Sequence, residues 1–224
     1  MVKGARVRFS KGSEVRFLSH LDLLRTIERA IRRSKLPIAY SEGFHPKPKL
    51  AFASALSVGL TSSGEYADLV MASPISATEV QDRLNATLPQ GFSVDAALEL
   101  PEGASSLMSI ISAASYGLTL IEGSNQDLSG LVNQLLASDS LPIRRETKKG
   151  VRSLDIRPMI YDLKWDRNKN QILLRCACGS VQNVRPTEIF HFFSLPMSKV
   201  LVHREELLVR KDDGVWITPL DVLK

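Results

Sequence analysis

Residues 17–60 read FLSHLDLLRTIERAIRRSKLPIAYSEGFHPKPKLAFASALSVGL, and the order of elements within this stretch decides the fold class. Ser19 followed by Asp22 has the Ser-x-x-acidic form of a helix-capping box, and Leu21, Leu24, Ile27 and Ile31 follow at helical spacing. The spacing predicts a helix over 20–34. Arg29, Arg32 and Arg33 stand four, seven and eight positions after Arg25, so the four share one side of the helix and leave the other for a core. The next segment, from Tyr40 to Lys49, places Tyr40, Phe44, His45, Lys47, Lys49 and two prolines within ten residues. Pro46 and Pro48 fix φ and push His45 and Lys47 toward extended geometry, while Gly43 permits a tight turn. The reading is a stiff exposed loop that displays His45, Lys47 and Lys49. An arginine face beside such a loop suits single-stranded RNA, with cations for phosphates and rings for splayed bases.

Outward from that stretch, alternating residues 5–9 read as a first strand followed by a turn at 11–13. Residues 49–58 read as a second strand, 62–64 as a turn and 65–72 as a third strand. A helix over 76–87 and a strand over 92–98 complete the series. Strand, helix, strand, strand, helix, strand is the order of the ferredoxin-like fold. Residues 101–115 form a Ser- and Ala-rich connector, after which the order begins again. The second pass reads as a strand over 116–121, a helix over 127–137, extended segments over 143–146 and 155–165, and a strand over 171–178. A helix begins at Pro186 and a last strand spans 200–209. The expectation is an α+β chain of two tandem ferredoxin-like (βαββαβ) domains, 1–100 and 116–224. A β-rich insertion around Gly150 makes the second irregular.

With 224 residues and 44% hydrophobic content the chain can bury a core. It has no run approaching the roughly 20 apolar residues of a membrane helix, and its first ten residues lack a signal peptide's apolar region, so the expected setting is cytoplasmic. The net charge of +5 is segregated. Residues 1–60 carry twelve Lys or Arg against four acids, residues 61–143 one against ten, and residues 144–224 sixteen against ten. The segments are therefore +8, −9 and +6, the asymmetry of a polyanion-binding face with a differently charged back. Cys176 and Cys178 fall on one face of a strand and read as buried thiols, with no metal site and no cofactor expected. The three-cysteine motif of a radical SAM cluster is absent, so the chain is not itself such an enzyme.

In the second half, residues 144–152 hold five cations, among them Lys148, Lys149 and Arg152, and Arg157 follows in Asp155-Ile156-Arg157-Pro158. These four join Arg25, Arg29, Arg32, Arg33, Tyr40, Phe44, His45, Lys47 and Lys49 as candidate nucleic-acid contacts. The two basic segments would line one groove if the domains pack side by side. Arg157 also reads as a local ion-pair partner of Asp155.

Two strings carry a resemblance: RxRFxKxxxxRFLSHLDLLRxxxRAxRR from Arg6, and LPIAYSEGFHPKPKLxFAxALxVGxxSxxEYxDL from Leu36. Together they resemble the uncharacterised radical-SAM-linked protein family, most strongly over residues 6–70, with a weaker match through GVRSLDIRPMI at 150–160 and Val184-Arg185-Pro186. Members are encoded beside, or fused to, a radical SAM enzyme that often has a cobalamin-binding domain. The resemblance therefore implies a partner enzyme and supplies no catalytic residues. Three functions fit the residues. The first is an RNA-binding accessory protein that presents a structured RNA to that partner. The second is an RNA-cleaving or RNA-modifying enzyme with His20 or His45 as general base and Asp22 as carboxylate partner. The third is a module whose basic face binds the partner without nucleic acid.

Overall fold

The computed structural model describes residues 4–121, 127–147 and 150–224, so Lys148 and Lys149 lie outside the described residues. The chain is α+β, with a large, mostly antiparallel sheet and few helices. Its first half contains β1 (Gly4–Lys11), α1 (His20–Ser34), β2 (Leu50–Phe52), β3 (Thr61–Val70), α2 (Ala77–Asn85) and β4 (Phe92–Glu99). These strands lie in the order β4-β1-β3-β2, and every neighbouring pair is antiparallel. The second half begins with α3 (Leu107–Ile110), β5 (Ala113–Leu120) and α4 (Ser129–Ala137). A separate hairpin follows, β6 (Pro142–Thr147) with β7 (Gly150–Asp155), then β8 (Ile160–Asp166), β9 (Gln171–Ala177), β10 (Val200–Arg210) and β11 (Trp216–Ile217). The order there is β10-β5-β9-β8, again antiparallel throughout. The halves join where β10 runs parallel to β3, through the pairs His203↔Thr61 and Arg204↔Ser62.

Four expectations shift, each for a local reason. The strand at 49–58 shortens to Leu50–Phe52, because β2 and β10 share one edge of β3. The turn at 62–64 is absent, since Ser62 already pairs with Lys11 and Arg204 inside the sheet. Gly64 serves a close approach instead: a Cβ there would stand 2.6 Å from the Glu206 Cα. The extended segment at 155–165 is cut by a 3-10 turn at Arg157–Met159 carrying Pro158, so Asp155 and Arg157 do not alternate on one strand. Asp155 instead accepts from the Leu141 and Arg157 backbone amides, which hold its carboxyl below the usual range. The helix at Pro186–Phe193 is 3-10 in type.

Among the described residues the apolar side chains gather in two clusters. Leu23, Ile27 and Ile31 of α1 and Val80 and Leu84 of α2 pack on Val7, Phe9, Ala67 and Leu69 of the first half. The second cluster collects Leu118, Ile172, Leu174, Val132, Ile143 and Phe190. Both cysteines are free and buried, and burial pushes the Cys176 thiol up. Among the described residues no helix is long and apolar enough to cross a membrane.

Charged residues inside the sheet tie the strands together. Arg6 is fully buried, donating to both Asp68 carboxylate oxygens at 2.7 and 2.9 Å and to the Ser105 and Pro219 carbonyls. Arg204 donates from Nη1 to both Glu65 oxygens at 2.9 and 3.0 Å, from Nη2 to the Ala55 carbonyl and from Nε to the Tyr116 hydroxyl. On the other face of β3, Glu206 accepts from Arg8 at 3.0 Å and from the Tyr66 hydroxyl at 2.7 Å. Desolvation outweighs these donors and raises the Glu206 carboxyl pKa. The folded chain thus holds this proton more tightly than the unfolded chain does. Stability from Glu206 is present below the ordinary glutamate value of about 4.3 and is lost as pH rises through the raised one. Urea unfolding across that window should show the decline, and Glu206→Gln should flatten it.

Candidate nucleic-acid interface

The sequence of α1 makes one side of the helix apolar and the other cationic, and the structure keeps them apart. Ser19 caps it by accepting from the Asp22 amide at 3.2 Å, and its hydroxyl donates to the Asp22 carboxylate at 2.7 Å. Leu23, Ile27, Ala30 and Ile31 are buried, whereas Arg25, Arg29, Arg32 and Arg33 are exposed. Arg25 approaches Asp22 at 3.5 Å in an exposed pair, and Arg33 donates to the Thr87 carbonyl. Among the described residues Arg29 and Arg32 take part in no ion pair.

The loop that follows is fastened at its base to the C-terminal end of β3. The Ala39 amide donates to the Val70 carbonyl, the Val70 amide to Lys49 and the Lys49 amide to Ala39. The end of α1 reaches the same place, since Ile38 bridges Met71 and the Ala72 amide donates to the Pro37 carbonyl. Arg32, Arg33, Lys47 and Lys49 are therefore carried by elements anchored at one end of the sheet. Farther out, Tyr40 bridges Pro48, the Ser41 amide donates to the Lys47 carbonyl at 2.8 Å, and the Lys47 amide donates to the Ser41 hydroxyl at 3.0 Å. Gly43 turns the apex at φ +114°. Phe44, His45, Lys47 and Lys49 stand in solvent while Pro48 is buried.

His20 lies at the opposite end of α1 from the loop's base. Its ring meets Phe52 edge-on at 5.8 Å, and Phe52 meets Phe9 at 5.9 Å. With Lys11, Ser54 and Glu65 it lines a cavity of about 10 Å³, room for one water. Lys11 is buried there, donating to the Arg16 and Leu18 carbonyls, and burial lowers its pKa. His20 and His45 thus belong to different places, and Asp22 is occupied by the cap and Arg25.

The second basic segment is divided by the fold. Arg145 donates to both Glu188 oxygens at 2.8 Å and to the Asn183 carbonyl. Arg157 is half-buried and donates to the Leu136 and Ile160 carbonyls. Arg152 is exposed on β7, and Arg144 lines an open groove of about 630 Å³ with Ser153 and His191. The hairpin packs on the second apolar cluster through Ile143, and α1 packs on the first. Sequence reasoning missed the buried pairs of Arg6, Arg204 and Glu65; the only signal was charged residues alternating inside apolar strands. Among the described residues no group of three or more His, Cys, Asp or Glu is placed to hold a metal ion.

The model of an uncharacterised protein family conserved in bacteria, DUF2344, matches residues 5–186. The chain belongs to that family. The family's description names neither a reaction nor a partner. No curated protein matches the sequence. Among solved structures, a chain in the crystal structure of a Cbf5-Nop10-Gar1 complex is similar at 10% identity and a TM-score of 0.43. The similarity covers 98% of this chain and 53% of that one, so this family member spans about half the length of the matched chain.

Proposed function

We propose that this protein binds RNA through α1 and the 40–49 loop and presents it, in the cytoplasm, to a radical SAM partner enzyme. The supporting observation is the exposed arginine side of α1. Arg29 and Arg32 have no acidic partner among the described residues, beside a loop whose own backbone bonds hold Lys47 and Lys49 outward. A helix face serving only solubility would interleave acids with its arginines along its length, whereas after Asp22, which pairs with Arg25, this one carries Glu28 alone beside Arg29, Arg32 and Arg33. The partner rests on the SHLDLLR and SEGFHPKPKL strings of the sequence resemblance. The strand orders β4-β1-β3-β2 and β10-β5-β9-β8 support reading the two halves as tandem ferredoxin-like units, with the β6–β7 hairpin inserted in the second.

The test is binding of total small RNA to the purified chain over a salt series, against the combined variant Arg25→Ala, Arg29→Ala and Lys47→Ala. Log affinity should fall linearly with log salt, and the variant's slope should be shallower by roughly 2, about 0.7 for each phosphate that the three cations no longer neutralise. Absence of binding at low salt sinks the proposal and sends the same face to the partner enzyme, as a nucleic-acid-free docking module. A second reading, RNA chemistry by this chain, is favoured by His20 beside the buried Lys11 and Glu65. Its discriminator is turnover of RNA by the purified chain without any partner.

A further inference from the structure

The loop presents its two rings differently. Directly opposed residues of an antiparallel pair project to the same side, so Tyr40, bridged to Pro48, shares the side on which Pro48 is buried. Lys47 and Lys49 flank Pro48 and project to the other side. Tyr40 is accordingly 43% exposed, one step beyond the loop's base, while Phe44 at the apex is 102% exposed and touches nothing that would shield its ring. An aromatic ring left wholly in water gains nothing from folding, and a slack loop would let it collapse onto the surface. This loop does not let it collapse: the Ser41–Lys47 backbone bond, the Ser41 hydroxyl and two prolines hold the apex out.

We infer that Phe44 is a stacking wedge that selects RNA with an unpaired nucleotide, and that Tyr40 is a structural residue of the loop. The inference rests on the RNA-binding reading above. Lys47, Lys49 and the α1 arginines hold the phosphate backbone, which every RNA presents. Phe44 needs a base with an open face, which a continuous A-form duplex does not offer and a hairpin loop or bulge does. The cations set affinity and Phe44 sets preference. Charge argues for RNA over a protein pocket, because the ring is flanked on its returning strand by Lys47 and Lys49 rather than by an apolar rim.

The experiment uses the full chain and two RNAs of equal charge: a stem-loop with 2-aminopurine in its loop, and a blunt duplex of the same length. Wild type should prefer the stem-loop by about tenfold or more, with 2-aminopurine fluorescence changing on binding. Phe44→Ala should erase that preference, leave duplex binding and the salt slope unchanged, and leave the unfolding midpoint unchanged because the ring is outside the core. Phe44→Trp should keep the preference, and Tyr40→Ala should keep it as well. If wild type binds both RNAs and Phe44→Ala changes nothing, the wedge is wrong and the RNA reading stands. Binding of neither RNA overturns both. Loss of partner-enzyme capture by Phe44→Ala, with RNA preference intact, reassigns the ring to a protein pocket.

Discussion

Glu65→Ala is expected to lower the unfolding free energy by about 3–5 kcal/mol, the usual cost of leaving one member of a buried ion pair alone. The two side chains are only 4% exposed, so water does not replace the missing carboxylate around the Arg204 guanidinium. Their position raises the consequence. The halves of the sheet are hydrogen-bonded to each other through two register pairs between β3 and β10, and Arg204 belongs to one of them. The same guanidinium reaches the Ala55 carbonyl and the Tyr116 hydroxyl, and lies 5.6 Å from the Tyr116 ring centre. Removing Glu65 also leaves the buried Lys11 ammonium without its nearby opposite charge. The check is the urea midpoint of Glu65→Ala beside the double variant Glu65→Ala, Arg204→Met. The double variant should recover part of the loss, because the Arg204 guanidinium is then no longer stranded at the seam and only Lys11 lacks its opposite charge. A single-variant loss below about 1 kcal/mol would show that the seam is held by packing alone.

The helix is legible because its signals agree. The Ser19 cap, the apolar spacing and the arginine side all place α1 at 20–34, where it lies. Strand lengths are legible only where one partner lines the whole strand. No residue in 49–58 announces that β2 yields its edge of β3 to β10, a strand about 150 residues later in the chain. Gly64 misleads for a related reason. A glycine between two serines has the composition of a turn, but this one is required by a backbone pressing on it from β10. Pro158 is the reverse case: its effect is local, yet the alternation of Asp155 and Arg157 around it reads more strongly than the break it makes.

The candidate interface divides along the same line. Exposure of Arg29, Arg32, Phe44, Lys47 and Lys49 follows from helical period and loop chemistry, which are local. The fate of Arg145 and Arg157 depends on Glu188 and Leu136, which reach them only through tertiary packing, so a run of cations read as one site is split into struts and surface. Tyr40 and Phe44 look alike in the sequence as rings four residues apart, and the Tyr40–Pro48 bridge separates their surroundings.

Reversing the charge of Arg25, Arg29 and Arg32 to Glu together is expected to weaken RNA binding by at least about a hundredfold at 0.1 M salt. Each phosphate contact to a single strand contributes about 0.7 to the salt slope, which at tenfold below molar salt is roughly a factor of five, and three contacts compound. Reversal adds repulsion to that effect. The fold should tolerate the change, because all three side chains are exposed and the Arg25–Asp22 pair is of the surface kind, worth little. The cost should appear mainly at Arg32, where a carboxylate in the last turn opposes the helix dipole by about 0.3–1 kcal/mol. Circular dichroism and the urea midpoint establish that α1 survives, and filter binding over a salt series gives the affinity. The variant separates the readings by what it loses. Loss of RNA with retained capture of the partner enzyme assigns the arginine side to nucleic acid. Retained RNA binding with no capture assigns it to the partner. If neither changes, the arginines are a solvated face and the site must be sought elsewhere, beginning with the groove at Arg144 and His191.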